Sequence, residues 1–359
     1  AQARSMGGSG QSRLKRVCFA LAWSVSLAQD GLADAVVEWI GDFVFRAGSD
    51  RLAATASAEE VELLKKLARL AHVSYDEALD AKLPDGLTLR ATGRERAVWF
   101  MAQGLGSVFL VFRGTSEWKD LLANVQVSPD VYGKHRIHGG FASQVSRKAN
   151  PILEAELARL PKGCNLHLLG HSLGGAMALA LLASSRLPEG LGNVEVTMIG
   201  SPKIFHDMAP SVQELGARKV TLLVNHGDIV PRLLGDRKVD ISRHVKHIKQ
   251  LEIRDEDLPA LANYKHPDGL NLVVLRGSQA LKPSPLLHDQ VWLDPTALAG
   301  MKKDPVTDHQ MVEYVQSLDS LDPSKLGRSG LLPSLQSLRT WGDATFSEKC
   351  ADPSVDDCR

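Results

Sequence analysis

Net charge, long apolar runs and cysteine are what this sequence has least of. Lysine plus arginine and aspartate plus glutamate each total 42, so no overall field draws the chain to nucleic acid or to an anionic bilayer. No run of 18 or more apolar residues suggests a transmembrane helix, so any membrane contact is expected to be peripheral. These absences argue against a nucleic-acid-binding protein and against a membrane-spanning one.

The four cysteines are too few and too scattered for a disulfide scaffold, and none forms a C-x-x-C metal-binding pair. They are Cys18, Cys164, Cys350 and Cys358. Cys350 and Cys358 are close enough in sequence to close a small loop in an oxidising compartment, but two free thiols are an equal alternative. The sequence leaves their redox state open.

The composition, 44% apolar and 23% charged, is typical of a globular protein. A length of 359 residues allows one large domain with additions or two small domains, and we favour the first. We interpret 1–57 as an N-terminal segment, 58–321 as the main domain, and 322–359, rich in Ser, Pro, Gly and Asp, as an irregular tail. The apolar stretch 17–28 behind a basic cluster has two interpretations, a secretory signal and an amphipathic helix. A basic, acid-free start would also suit a transit sequence, so a secreted or endomembrane location and a plastid-type organelle both stay open.

The apolar pattern of the main domain predicts an α/β architecture. Helical spacing over Glu59–Ala81 predicts a first helix, and further helical segments are predicted over Phe141–Leu160 and Leu173–Ser185. Short apolar runs bounded by glycine predict the strands, which are Ala97–Ala102, Ser107–Phe112, Leu166–Leu169, Val194–Ile199, Val220–Val224 and Leu272–Leu275. Strands that alternate with helices indicate a largely parallel, doubly wound sheet.

A candidate nucleophile lies between one predicted strand and the next helix. The segment from Gly170 to Gly175 reads GHSLGG and opens the apolar run that begins at Ala176. A bare G-x-S-x-G is weak evidence, but a nucleophile elbow requires a strand, a sharp turn and a helix, with small residues around the serine. All three parts are present in order, which predicts Ser172 as a nucleophile rather than part of a plain glycine-rich turn.

An acid and a base are expected on loops that follow later strands. Asp228 leaves the carboxyl end of the strand Val220–Val224, where functional groups gather in parallel sheets, whereas Asp236 and Asp240 lie in a charged, irregular stretch. His309 lies on a loop that feeds a last helix and is the favoured base. The alternative histidines are His244, His247, His266 and His288. His171, beside the serine, is expected to pack or hydrogen-bond.

These residues together resemble the class 3 lipases, the fungal-triacylglycerol-lipase-like family of the α/β-hydrolase fold. The resemblance covers about residues 58–318, and its motifs occur in the family's order. They are FRGT at 112–115, HGGF at 138–141, GHSLGG at 170–175, GSP at 200–202, NHGDIVPR at 225–232 and DH at 308–309. The resemblance implies an α/β-hydrolase fold with a mostly parallel central sheet and a helical lid.

The resemblance also implies the site. Ser172, Asp228 and His309 would form a catalytic triad, and Thr115 and Leu173 would form the oxyanion hole through their N–H groups, with the Thr115 hydroxyl as a further contact. The lid would be residues 116–126, with Trp118 and Leu121 as apolar contacts to substrate. No metal or cofactor is implied, and the expected partner is a lipid ester at a membrane or lipid-droplet interface, with no obligate protein partner.

Two departures from the family pattern bear on the substrate. Asn124 stands where the family often has a second lid acid, so this position of the lid carries no charge. The NHGDIVPR segment and the long insert after Gly235 resemble plant and algal plastid-type members, which often act on polar membrane lipids. The expected activity is therefore acylglycerol hydrolysis, with a phospholipase or galactolipase A-type activity and an acyltransferase as alternatives. A non-enzymatic binding protein is disfavoured because it would not require all these motifs.

Overall fold

The computed structural model describes residues 53–78, 82–104, 106–115, 129–232, 263–283, 293 and 307–327. The strands are β1 Ala53–Thr55, β2 Thr88–Arg94, β3 Val98–Gly104, β4 Ser107–Phe112, β5 Pro129–Tyr132, β6 His135–His138, β7 Asn165–His171, β8 Val194–Ile199, β9 Phe205–His206, β10 Lys219–Asn225, β11 Tyr264–Lys265, β12 Asn271–Arg276 and β13 Gln279–Pro283. The helices are α1 Ala58–Val73, α2 Gly139–Gln144, α3 Pro151–Ala158, α4 Leu173–Ala183 and α5 Met311–Asp319.

Within these described ranges, nine strands form one large sheet in the order β1-β13-β12-β10-β8-β7-β4-β3-β2. The central strands β12, β10, β8, β7 and β4 are parallel, and antiparallel strands complete both edges. This mostly parallel centre confirms the predicted fold class. A small antiparallel sheet, β11-β9-β6-β5, was not predicted, because two of its strands are only two residues long.

Both faces of the large sheet are buried, which explains why its central strands are continuous apolar runs. On one face, α1 and α5 pack against side chains such as Phe109, Val111 and Leu169. On the other face, α4 packs against the alternate positions, such as Leu110 and Leu168. Successive side chains of a strand point to opposite faces, so each central strand contributes to both cores.

Two predicted helices differ in extent from the observed ones. The first helix ends at Val73 rather than continuing to residue 81, and the hydroxyl and amide of Ser74 both bond to the Ala71 carbonyl at its end. The segment predicted as one helix over 141–160 contains α2, a short 3-10 turn and α3. Pro151 cannot continue a preceding helix and begins α3, and the Asn150 amide bonds back to the Gln144 carbonyl at 2.7 Å.

Several sequence-based predictions lie outside the described residues. These are the segment before residue 53, the lid at 116–126, the stretch with Asp236 and Asp240, and the tail after residue 327. In the part of the chain that the structure describes, no helix is long and apolar enough to cross a membrane. The same part holds no group of three or more His, Cys, Asp or Glu side chains arranged to bind a metal ion.

Candidate active site

Ser172 lies in a sharp turn between β7 and α4. Its backbone angles, φ 57° and ψ −127°, are strained for a residue with a side chain. Two flanking glycines permit this turn, because a Cβ on Gly170 would lie 2.2 Å from the Gly174 backbone, and one on Gly174 would lie 2.2 Å from the Phe112 carbonyl oxygen. The sequence therefore builds the strand, turn and helix of a nucleophile elbow at the predicted position.

The side chains of Ser172, His309 and Asp228 form one hydrogen-bonded chain. His309 Nε2 lies 2.8 Å from Ser172 Oγ, and His309 Nδ1 lies 2.9 and 3.0 Å from the two carboxylate oxygens of Asp228. The carboxylate can only accept, so Nδ1 carries the proton and Nε2 is free to accept the serine proton. The structure thus brings together the three residues predicted as nucleophile, base and acid, and all three are buried.

The carboxylate of Asp228 is held by donors besides His309. The Val230 N–H donates to Oδ1 at 2.8 Å, and the Tyr314 hydroxyl donates to Oδ2 at 2.5 Å. Burial, and then the charge of Asp228, raise the pKa of Tyr314 well above its ordinary value, so this hydroxyl stays a donor. Gly200, at φ +55°, packs against Asp228 and Tyr314, and a Cβ there would lie 2.6 Å from Asp228 Oδ2. Larger residues are therefore excluded from position 200.

The loop that carries His309 is attached to the sheet by its backbone. His309 ends a 3-10 turn, Thr307–His309, just before α5. The Asn225 amide, at the end of β10, donates to the Asp308 carbonyl at 3.0 Å, and His171 Nε2 lies 2.7 Å from the His309 carbonyl. His171 therefore hydrogen-bonds, as expected from its place beside the nucleophile.

The two residues predicted for the oxyanion hole flank the serine. Leu173 is the first residue of α4, where backbone N–H groups have no partner within the helix. Thr115 follows Gly114, where an added Cβ would lie 3.2 Å from Ser172 Cβ. The Thr115 hydroxyl is buried and has no hydrogen-bond partner among the described residues. The predicted lid contacts, Trp118 and Leu121, belong to a segment outside these residues.

Sequence reasoning missed Tyr314, Gly200 and Tyr75 as neighbours of the triad. Tyr314 contacts an acid 86 positions earlier, and Tyr75 contacts an elbow 96 positions later. Helical periodicity marks such residues only as buried. For Gly200, the GSP motif after a predicted strand was a usable signal, although nothing in it identifies the side chains above the glycine.

The sheet order, the elbow between β7 and α4, and the acid and histidine after later strands define an α/β-hydrolase fold. The family model described as lipase (class 3) matches residues 109–238, a range that contains the end of β4, the elbow and Asp228. With this match, the chain is a serine ester hydrolase. No curated protein matches the chain significantly.

Solved fungal lipase structures are similar to the chain. A deletion mutant of Rhizomucor miehei lipase in complex with its propeptide is 19% identical, over 72% of this chain and 79% of that one, with a TM-score of 0.52. A lipase from Rhizopus microsporus var. chinensis is 18% identical over 72% and 88% of the two chains, with a TM-score of 0.49. At 19% identity, the first of these likenesses shows a shared fold.

Proposed function

We propose that this protein is a lipase that hydrolyses carboxylic esters of acylglycerols, with Ser172 as nucleophile, His309 as general base and Asp228 as the acid of the triad. One observation carries the proposal, namely the buried chain in which His309 bonds to the serine through Nε2 and to the carboxylate through Nδ1. Such geometry allows a proton to leave the serine as its oxygen attacks a carbonyl carbon.

In the proposed reaction, His309 accepts the Ser172 proton while Oγ bonds to the ester carbonyl carbon. Asp228 fixes the tautomer of the imidazole and stabilises the imidazolium that forms. The imidazolium then gives its proton to the departing alcohol as the ester bond breaks. Water attacks the acyl-enzyme in the same way, with His309 again as base, and releases the fatty acid. These residues require no metal for either half of the reaction.

We assign the oxyanion hole to the N–H groups of Thr115 and Leu173, with the Thr115 hydroxyl as a third donor. The support is the position of Leu173 as the first residue of α4 and the buried Thr115 hydroxyl, which has no hydrogen-bond partner among the described residues. In a water-excluded site, each such donor contributes on the order of 3 kcal/mol to the stability of the transition state. Unpartnered buried donors are costly in a resting protein, which favours a role in binding developing charge.

The lipid class rests on sequence alone. The class 3 lipase match favours acylglycerols, whereas the NHGDIVPR segment favours polar membrane lipids, and an acyltransferase would use the same triad with an alcohol in place of water. We propose contact with lipid through the segment 116–126, in which Trp118 and Leu121 would meet the lipid interface. A lid segment that carries apolar side chains is a common route by which a lipase reaches an aggregated substrate.

The test is a lipid panel read by mass spectrometry. Triacylglycerol emulsion, phosphatidylcholine and galactolipid vesicles, and a soluble short-chain ester are incubated with the wild type, with Ser172→Ala and with Trp118→Glu. We expect fatty acid release by the wild type, none by Ser172→Ala, and a far larger loss for Trp118→Glu on aggregated lipid than on the soluble ester.

Each other outcome changes a named part of the proposal. Fatty acid release by Ser172→Ala would contradict the assignment of Ser172 as the nucleophile. Equal losses of Trp118→Glu on all substrates would place that side chain in the core, where the damage comes from lost packing. Faster fatty acid release from galactolipid or phosphatidylcholine than from triacylglycerol would identify polar membrane lipids as the substrate class. An acylated alcohol in place of free acid would identify a transferase.

A further inference from the structure

A second hydrogen-bonded chain runs beside the triad, and the reaction as described does not use it. The Tyr75 hydroxyl, just after α1, lies 2.8 Å from His171 Nδ1, and His171 Nε2 lies 2.7 Å from the backbone carbonyl oxygen of His309. The backbone of Gly114, which precedes the proposed oxyanion residue Thr115, packs against the Tyr75 hydroxyl, and a Cβ added to this glycine would lie 2.5 Å from that oxygen. One imidazole thus lies between the strand end that carries Thr115 and the loop that carries the base.

The direction of every proton in this chain follows from its ends. A carbonyl oxygen can only accept, so His171 Nε2 must carry a proton. In a neutral ring Nδ1 is then an acceptor, and the Tyr75 hydroxyl must donate to it. The hydroxyl oxygen of Tyr75 then faces the Gly114 backbone. Only one tautomer of His171, with its proton on Nε2, satisfies both hydrogen bonds of the ring.

The surroundings of His171 keep its ring neutral. Burial, and then the neighbouring His309, lower the pKa of His171 to about 3, while burial raises the pKa of Tyr75 and keeps its hydroxyl protonated. The His171 and His309 rings are stacked, with centroids 4.8 Å apart and planes at 29°. Because His309 becomes positively charged in the proposed reaction, a neutral neighbour at this distance avoids a direct repulsion.

We propose that His171 is a positioning residue, held as its neutral Nε2–H tautomer by Tyr75, that couples the backbone of the oxyanion segment to the backbone of the catalytic base. This proposal about His171 rests on the proposed function and adds a positioning residue to it. The two ring nitrogens of His171 bond to Tyr75 and to the His309 carbonyl, and not to the proposed nucleophile's hydroxyl. It acts by fixing two backbone segments at once, so that the oxyanion donors and the imidazole keep their separation during the reaction.

The first test replaces Tyr75 by phenylalanine, which removes one hydroxyl and keeps the ring. With a soluble short-chain ester, we expect kcat to fall by about tenfold, as expected for one lost positioning hydrogen bond, with KM changed by less than about twofold. Tyr132→Phe is the matched control, because the half-buried Tyr132 hydroxyl donates to the Val145 carbonyl and takes no part in the hydrogen bonds of His171. It should leave kcat and KM within about twofold of the wild type. Thermal unfolding of both variants monitors the fold.

The second test asks whether a side chain with the same donor and acceptor restores the function. His171→Gln offers an amide N–H to the His309 carbonyl and an amide oxygen to Tyr75, and should retain most of kcat. His171→Leu offers neither and should lose at least as much as Tyr75→Phe. If the residues act as one chain, adding Tyr75→Phe to His171→Leu should cause little further loss.

The third readout is the tautomer itself. In nitrogen-15 NMR spectra of the histidine rings, the wild-type signals that are missing from the His171→Gln spectrum belong to His171. These signals should report an Nε2–H tautomer that does not titrate between pH 5 and pH 8. A charged or Nδ1–H ring at position 171, or a Tyr75→Phe variant with wild-type kcat, would overturn this inference while leaving the triad intact. A different result, esterase activity in the Ser172→Ala variant, would contradict the proposed function, so the two failures can be told apart.

Discussion

The backbone of Ser172 is strained, and its neighbours hold it in that state. A non-glycine residue at φ 57° and ψ −127° costs on the order of 1–3 kcal/mol. The Ser172 N–H donates to the Ile199 carbonyl at 2.8 Å, and its own carbonyl accepts from Gly175 at the start of α4. The strain is therefore fixed by strand and helix together, and the hydroxyl stays directed at His309.

The role of the Thr115 hydroxyl can be tested by two substitutions. Thr115→Val keeps the shape and the backbone N–H but removes the hydroxyl, which is buried without a partner in the described part of the chain. We expect kcat on a soluble ester to fall by about two orders of magnitude with KM little changed, as for loss of one oxyanion donor. Thr115→Ser should retain most of the activity. If valine and serine behave alike, the hydroxyl takes no part and only the N–H remains assigned.

Sequence reasoning reached some residues of the site and not others, for physical reasons. Ser172 and Asp228 could be selected because each follows an apolar run that ends at the same edge of the sheet. His309 had several rivals on spacing alone, and only the resemblance to class 3 lipases favoured it. Tyr75 and Tyr314 could not be selected, because their hydroxyl contacts depend on the tertiary placement of α1 and α5.

Helix α1 is attached to the sheet by one buried carboxylate. Glu60, in the first turn of α1, accepts from Lys219 of β10 at 3.1 Å, from Asn271 of β12 at 3.0 Å and from Lys282 of β13 at 2.9 Å. Its exposed fraction is 4%, so it would be costly without these partners. The carboxylate thus connects the helix to three adjacent strands on the side of the sheet that α1 covers.

The pH dependence of stability tests this attachment. Burial acts to raise the pKa of Glu60, but the charges of Lys219 and Lys282 outweigh it, and the net pKa is lowered from 4.5. A lowered pKa in the folded state means that the carboxylate stabilises the fold above about pH 4.5 and loses this effect as the pH falls through the folded pKa. Glu60→Gln should therefore reduce the free energy of unfolding by about 2 kcal/mol at pH 7 and by much less at pH 3.

The control for Glu60→Gln lies on the same helix. Glu62 pairs with Lys65 on the exposed side of α1, and Glu62→Gln should change stability by less than about 0.5 kcal/mol at either pH. Urea unfolding at pH 7 and at pH 3 measures both variants. A loss for Glu60→Gln that is equal at the two pH values would mean that packing, and not the charge, holds α1 on the sheet.

Sequence patterns located the central elements better than the edges. The strands β4 and β8 begin and end where their apolar runs predicted, because they are buried on both faces. The strands that the sequence analysis missed are β1, β2, β5, β6, β9, β11 and β13. Three of them, β1, β9 and β11, have two or three residues each, too few for a period to be recognised. The longer β2 and β5 carry mostly exposed or half-buried side chains, so no apolar run marks them. Capping by Ser74, which shortened the first helix, depends on hydrogen bonds that apolar spacing does not report.

At the scale of the whole molecule, the fold gathers distant residues at one edge of a sheet. His309 lies 137 positions after Ser172 and 81 after Asp228, yet β7, β10 and the turn before α5 bring their side chains into hydrogen-bond contact. Because the central strands β12, β10, β8, β7 and β4 are parallel, their carboxyl ends lie on the same side of the sheet. The general position of the site was therefore predictable from strand order, whereas the hydrogen-bond partners around it were not.

The most direct test of the central claim is where a fluorophosphonate probe attaches to the native protein. Such probes form a stable bond with a serine that a neighbouring base has activated, so peptide mass spectrometry should find the adduct on Ser172. Ser172→Ala should not be labelled, whereas Ser143→Ala, which alters a serine outside the site, should be labelled like the wild type. An adduct on another residue, or full labelling of Ser172→Ala, would contradict the account.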